Sequence, residues 1–417
     1  MIKITVIGGS SVGTPALVLA LRNHFAPIGP PDTIGLVLHG RNTEKLAPVA
    51  KAAMQLAQGC DWLRVSATTD MAEALDGARF VINQIRVGGL QARAFDETFP
   101  ITLGLIGEET VGAGGFANAV RTIPPVVKIA QAIEQYAPTA LLFSFANPAS
   151  PVQYALTLMS KLRVIGLCDA AITMTAQAAT ALDCQSHELH IDYVGMHHFS
   201  FIPRLTRAGV DITSEMLDCL ERIPHFGMDC EVVRSLGALP TPYLKYFLHQ
   251  DRILAQQQAT PSTRAQQLLG IEADLLRAYE SGDANAVGKR SAKWYDAIIA
   301  PILVAMICKT PARFALNVIN GPTLPWLPAD AIIETMCKVN GDDVQAEAAD
   351  ANRELRARIQ LNCAYEQLVV EAVLEQDERK ALRALTMNPL IGTVDKARAV
   401  LKRLWPNATP TQLPNLV

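Results

Sequence analysis

Nowhere in the 417 residues is there a run of the roughly 20 uninterrupted apolar residues that a membrane helix needs, although half of the chain is hydrophobic. The chain is therefore expected to be soluble and to stay off the membrane. A basic stripe is missing too. The 37 Lys and Arg are spread among 40 Asp and Glu for a formal net charge of −3, which argues against a nucleic-acid partner. The eight cysteines show no CxxC and no regular spacing, so reduced thiols are expected, not a disulfide framework. Internal repeats and low-complexity linkers are also absent. The start, from Met1 to Gly9, enters a strand pattern directly without a basic region, apolar stretch and cleavage site, and the protein is expected to be cytoplasmic.

What is present is an alternation of strand and helix patterns in the first half, the signature of a parallel sheet with crossover helices. Strands are expected at Lys3 to Ile7, Thr33 to Leu38, Ala78 to Ile85, Ala140 to Phe145, Arg163 to Leu167 and His190 to Val194. Helices are expected at Pro15 to Arg22, Thr43 to Leu56, Met71 to Asp76 and Ile123 to Tyr136. A glycine-rich stretch through Gly104, Gly107, Gly112, Gly114 and Gly115 reads as a long functional loop. After about Phe199 the rhythm turns mostly helical, around Thr263 to Tyr279, Trp294 to Cys308 and Asp343 to Gln376, with a few strands near Phe314 to Val339. Length favours two lobes with a ligand cleft between them. The fold expected is α/β, a Rossmann-type doubly wound sheet like that of lactate and malate dehydrogenases over residues 1–198. A mainly α substrate-binding and oligomerisation domain is expected over 199–417.

Gly8-Gly9-Ser10-Ser11-Val12-Gly13, between the first strand and helix, is a variant of the dinucleotide fingerprint with serine at the middle glycine. Such a turn lets backbone amides approach a pyrophosphate at a helix N-terminus, although it also serves as a plain βα turn. Asn83, in the strand at 78–85, joins the cofactor-binding set. The second strand lacks its ribose-binding acid and reads His39-Gly40-Arg41, where Arg41 can face a 2′-phosphate, stack on adenine or simply be solvated. NAD is the expected cofactor, with NADP not excluded.

Cys168-Asp169 ends one short strand and His197-His198 the next. A thiolate and an imidazole suit a borderline-soft divalent cation, yet buried Cys and paired His are more often structural.

Further motifs recur along nearly the whole chain: Arg86-Val87-Gly88-Gly89, Asp96-Glu97, Ile106-Gly107-Glu108-Glu109-Thr110, Arg121-Thr122-Ile123-Pro124, Asn147-Pro148-Ala149, Gly166-Leu167-Cys168, Gly195-Met196-His197-His198, Tyr243-Leu244-Lys245-Tyr246, Thr263-Arg264-Ala265 and Met387-Asn388-Pro389-Leu390. Their set and order resemble glycoside hydrolase family 4. The resemblance implies an NAD- and manganese-dependent glycosidase, an exception to the two-carboxylate solution of most glycoside hydrolases. In that chemistry the nicotinamide takes hydride from sugar C3, a base removes the C2 proton, the aglycone is eliminated from C1, water adds, and the hydride returns.

By the resemblance Cys168 and His198 match the metal ligands, Tyr243 the base, and Asp169 the acid of α-glucoside members. Arg264 matches the arginine on the substrate's 6-phosphate and Asn147 a contact to sugar and cofactor. Arg93, Arg290 and His197 complete the expected substrate-binding set. His197 stands where asparagine is usual, Glu108 where glutamine is usual, and Gly40 where the ribose-binding aspartate is usual. From the residues alone, Tyr243 can equally be a packed aromatic and Asp169 only a helix N-cap.

The substrate implied is a small anionic glycoside, a 6-phospho-glucoside with α-linkage favoured. Sulfoquinovosides and uronides are alternatives by the same mechanism. A 2-hydroxy acid dehydrogenase and an inactive dinucleotide sensor are rivals of other classes. Family resemblance implies a homodimer or homotetramer.

Overall fold

A computed structural model describes residues 1–260, 262–290 and 292–405. Six strands run parallel: β1 (Ile2–Ile7), β2 (Ile34–His39), β3 (Leu63–Thr68), β4 (Phe80–Asn83), β5 (Leu141–Ser144) and β6 (Arg163–Leu167). Their spatial order is β3-β2-β1-β4-β5-β6, which reverses between β1 and β4 and opens the ligand crevice of a doubly wound sheet there. Successive residues along the central strands point to opposite faces. Val6, Phe80 and Phe143 enter one core, and Ile7, Val81 and Leu142 another. Helices α1 (Pro15–Phe25), α2 (Thr43–Leu56), α3 (Met71–Leu75), α4 (Gly89–Thr102), α5 (Gly112–Tyr136), α6 (Ala149–Met159) and α7 (Ala170–Ala181) make the crossovers. The doubly wound sheet expected from the alternating pattern is present.

The second half also contributes strands: β7 (Leu189–Met196), β8 (Phe199–Arg207), β9 (Val210–Asp211), β10 (Leu239–Pro240), β11 (Ala312–Ile319), β12 (Ile332–Asn340) and β13 (Asp343–Ala346). They continue the same sheet in the order β6-β11-β12-β7-β8-β10, all antiparallel, with β13 on β12 and β9 on β8. Helices of this half cover the parallel strands, since Leu275, Tyr279, Tyr295 and Ile302 lie in the core with Phe80 and Phe143. The helix Arg353–Glu375 belongs to two cores, packing Leu355 and Ile359 beside β7 and β8, and Val369 and Val373 into the core that α5 and α6 share. Among the described residues no helix is long and apolar enough to cross a membrane.

Several expectations about elements need correction. The glycine-rich stretch is not one long loop, because Gly112, Gly114 and Gly115 open the helix α5. Those glycines serve close packing: a Cβ on Gly114 would lie 2.1 Å from the Glu108 carbonyl oxygen, and one on Gly107 would lie 2.0 Å from that of Glu97. The strand β3 and helix α4 escaped notice. A glycine pair at the start of α4 and Pro100 within it disguise its helical pattern. Asp343–Ala346 is strand, and the long helix begins only after the Asn352 cap, whose side chain accepts from the Leu355 N–H.

Buried acids give this fold a pH signature. Glu366, on the helix Arg353–Glu375, accepts from Asn362 Nδ2 at 3.0 Å, and burial pushes its carboxyl up to about 8. A folded-state value above the unfolded one means tighter proton binding when folded, so this stability is present at low pH and lost as pH rises through about 8. Glu366→Gln should therefore narrow the difference between unfolding midpoints measured at about pH 6 and about pH 9. An unchanged difference would contradict the assignment.

Candidate active site

Cys168 directly follows β6 and is buried, with the Ala170 N–H donating to its sulfur at 3.4 Å. His197 and His198 are the two turn residues of the hairpin that pairs Met196 of β7 with Phe199 of β8. His198 takes φ 61°, a left-handed conformation uncommon outside glycine, while a Cβ on Gly195 would lie 2.4 Å from the Phe199 carbonyl oxygen. The turn meets Cys168. It arises from an antiparallel hairpin, not from a neighbouring parallel strand. One donor atom from each of Cys168, His197 and His198 lies within 4.8 Å of the other two, and all three residues are buried. Two imidazoles and a sulfur form a donor set that fits a borderline divalent cation.

The His198 tautomer follows from its neighbours. Thr110 Oγ1 lies 2.9 Å from His198 Nδ1 and 2.6 Å from Glu108 Oε2, which also accepts from the Thr110 and Val111 N–H groups. The threonine hydroxyl has one proton to give, and the carboxylate takes it. His198 Nδ1 is then the donor to Thr110, which leaves Nε2 with a lone pair for a metal. Burial holds both histidines neutral, His197 down to about 3 and His198 well below the usual range.

Beneath the site, strand pairing aligns Gly166, Asn317, Glu334 and Gly195 in one row. The Glu334 carboxylate accepts from Ser200 Oγ at 2.8 Å, Tyr193 OH at 3.2 Å and Asn317 Nδ2 at 3.3 Å. Burial pushes Glu334 up to about 7. Burial, and then the nearby Glu334 and Asp169 carboxyls, push the Cys168 thiol well up, so only a cation at the sulfur would favour the thiolate.

Tyr243 follows β10, and its ring stacks on His198 with centroids 3.4 Å apart and planes 11° apart. Burial, then the neighbouring Glu108, holds its phenol well above the ordinary value. Asp169 sits at the N-cap position of α7 but makes no side-chain cap bond, and burial raises its carboxyl. Capping is therefore not its role.

Tyr243 and Asp169 line a cleft of about 530 Å³ together with Arg93, Glu108, Lys245 and Arg264. Arg93 is held by Glu97 at 2.7 Å and Glu109 at 2.9 Å. Glu97 also accepts the Ala265 N–H at 2.9 Å, which seats the first turn of the helix Arg264–Glu280 and so places Arg264. Among the described residues Arg264 has no carboxylate partner, and it donates to Gln267 Oε1 at 3.3 Å. Arg290 lies over the Trp294 ring at 5.2 Å, and burial, then Arg264 and Arg93, lowers its guanidinium's pKa. Crowded like charges of this kind favour an anion among them.

At the crevice, Gly8 takes φ 88° with the Gln84 and Ile85 backbone 3.1 Å from any Cβ it would carry. Tyr279 OH donates to the Val12 carbonyl at 2.7 Å, and Gln84 Nε2 to the Gly8 carbonyl at 3.2 Å, strapping the Gly8–Gly13 turn. Ser11 Oγ accepts from the Gly13 N–H at 3.4 Å. A side chain on Gly40 would meet Ser10 Cβ at 3.0 Å, so the serine in the fingerprint fills the space beside the missing acid. Asn83 and Ser144, at the ends of β4 and β5, are buried with side-chain atoms that have no partner among the described residues. Orphaned polar groups beside a glycine turn fit a dinucleotide that would satisfy them. Arg41 is exposed, and Asn147 is half-buried just beyond β5. Neither lines the cleft.

The residues thus fall into three groups: the buried Cys168, His197 and His198, the cleft bridged to them by Tyr243, and the glycine turn. Thr110, Glu97, Lys245 and Glu334 were not anticipated as site residues. Thr110, Lys245 and Glu97 all lie inside motifs already quoted. Glu334 has no sequence signal, because strand pairing alone brings its partners together.

A dinucleotide sheet joined to a buried thiol–imidazole cluster defines a metal-assisted redox enzyme class, and comparison with known proteins makes it specific. The profile described as "Family 4 glycosyl hydrolase" matches residues 3–184, and that of the family's C-terminal domain matches residues 193–391. The chain belongs to this family. It is 28% identical to a probable 6-phospho-beta-glucosidase of Bacillus subtilis, over 97% of this chain and 95% of that one. The 6-phospho-beta glucosidase of Thermotoga maritima, solved with manganese, NAD+ and glucose-6-phosphate, superposes with TM-score 0.89 at 26% identity, covering 97% of this chain and 98% of that one. A 6-phospho-alpha-glucosidase from gut microorganisms, solved with NAD and Mn2+, gives TM-score 0.87 at 25% identity and 98% coverage of both chains.

The Thr110 contact generates a test. Thr110→Val removes the group that orients His198 and should weaken divalent-metal binding by about 10–100-fold, as loss of an outer-shell partner does. Calorimetric titration with Mn2+ reads this directly, and unchanged affinity would rule the relay out.

Proposed function

We propose that the chain hydrolyses 6-phospho-glucosides in an oxidation–elimination–reduction cycle, with Cys168 and His198 as metal ligands and Gly8, Gly9, Ser10, Ser11, Gly13 and Asn83 around NAD. The observation that carries the reading is one cleft lined by both Arg264 and Tyr243, with the Tyr243 ring against a metal-binding histidine. When bound, NAD supplies a hydride acceptor for sugar C3 and the divalent cation a Lewis acid for the sugar's oxygens.

The chain's own groups do the rest. Arg264, with Arg93 and Arg290 nearby, holds the phosphate in charge-assisted hydrogen bonds. Lys245, over the Tyr246 ring at 5.1 Å, adds a further positive charge to the cleft. Tyr243 takes the C2 proton. Its phenol is held above the ordinary value by burial and by Glu108, so to act as a base at neutral pH it would need a positive charge beside it, which a cation held by Cys168 and His198 would supply. Asp169, half-buried, raised and free of capping duty, protonates the leaving oxygen, which supports α-linked substrates. Asn147 meets sugar and cofactor from the end of β5, and Arg41 stays at the adenosine end.

In this division residues 1–198 supply the cofactor turn and metal ligands, and residues 199–417 the base and Arg264. Eight cysteines, all free, suit a reducing compartment, and we place the protein in the cytoplasm as a homodimer or homotetramer.

Chromogenic α- and β-linked 6-phospho-glucosides, a glucuronide and a sulfoquinovoside, assayed with NAD and Mn2+, test the reading. Hydrolysis of a 6-phospho-glucoside without net NADH is expected, whereas a steady rise in NADH would make the chain a dehydrogenase. Arg264→Ala should lower kcat/KM by roughly 10–100-fold, corresponding to about 1.5–3 kcal/mol for a hydrogen bond to a charged group, chiefly through KM. Tyr243→Phe should lower kcat by about 10²–10⁴-fold with metal affinity kept. If the phenylalanine variant turned over normally, the tyrosine would be only a packed aromatic.

A further inference from the structure

We propose that His197 is a third protein ligand of the metal, beside Cys168 and His198, and that this site therefore prefers imidazole-seeking cations such as Co2+ or Zn2+ to Mn2+. The inference rests on the reading that Cys168 and His198 hold a divalent cation. His197 had been expected to touch substrate, in a position where the family resemblance has asparagine.

The geometry points elsewhere. Both His197 ring nitrogens are buried and have no hydrogen-bond partner among the described residues, which is rare for a buried side chain that is not destined for a ligand. Its ring lies beside that of His198, at 3.8 Å between centroids and 24° between planes, so turning one ring would bring both in-plane lone pairs onto one ion. Metal–nitrogen bonds of about 2.1 Å and metal–sulfur bonds of about 2.3 Å put donors around one ion roughly 3.3–3.8 Å apart. The three donor atoms lie within 4.8 Å of one another, so side-chain rotation on loading is what would bring them to that spacing. Asparagine offers a hard amide oxygen at this place. Histidine offers a softer nitrogen, and a site with two imidazoles and a thiolate follows the rising affinity order from Mn2+ to Co2+ and Zn2+ more steeply. A cation of five or six ligands would still keep two or three positions for substrate oxygens.

X-ray absorption on the Co2+- or Zn2+-loaded wild-type protein counts ligands without any variant, and two imidazoles with one sulfur are expected. His197→Asn should reduce the count to one imidazole. It should weaken Co2+ binding by about 100-fold or more, the upper end of what an outer-shell loss causes, and Mn2+ binding by much less. One imidazole in the wild type, or unchanged Co2+ affinity in His197→Asn while Cys168→Ser abolishes binding, would overturn the proposal and leave the two-ligand site standing. A wild-type protein that binds none of the three cations would overturn both.

Discussion

Desolvation of the Cys168–His197–His198 cluster is the constraint on which the rest of the site depends. Leaving a buried donor unsatisfied costs about 1–3 kcal/mol. His197 alone holds two unpartnered nitrogens, and Cys168 is a thiol that burial keeps protonated. A fold retains such a cluster when something else completes it. The groups that raise the Cys168 thiol beyond burial are the carboxyls of Glu334 and Asp169. A divalent ion inverts each of these penalties, because it favours the thiolate and the neutral imidazoles alike.

Around that cluster the architecture fixes positions by close backbone approach. Gly107, Gly114 and Gly115 let α4, α5 and the segment between them pack at distances no side chain allows, and this holds Glu108 and Thr110 against His198. Glu97 then links α4 to the helix that starts at Arg264. His198, the Tyr243 ring stacked on it and Arg264 are thus placed by one continuous set of contacts. The antiparallel extension β11-β12-β7-β8 contributes the hairpin and the buried Glu334 beneath it.

Much of this was legible in the residues. The apolar strands and the glycine turn define the parallel half of the sheet, and the ordered motifs define the family. Two things were hidden for physical reasons. Glycines in Gly112–Gly115 read as loop because intrinsic propensity disfavours them in helices, whereas tertiary packing requires them there. The hairpin at His197-His198 and the row through Asn317 and Glu334 are long-range pairings that no local pattern encodes. For the same reason no local pattern sets the orphaned nitrogens of His197 beside Cys168.

The central claim is that bond cleavage passes through removal of the sugar's C2 proton by Tyr243. Hydrolysis of a 6-phospho-glucoside in D2O, with the product followed by proton NMR, tests it most directly. The account predicts glucose 6-phosphate carrying deuterium at C2. A product that retains its C2 proton, formed at the normal rate, would contradict it.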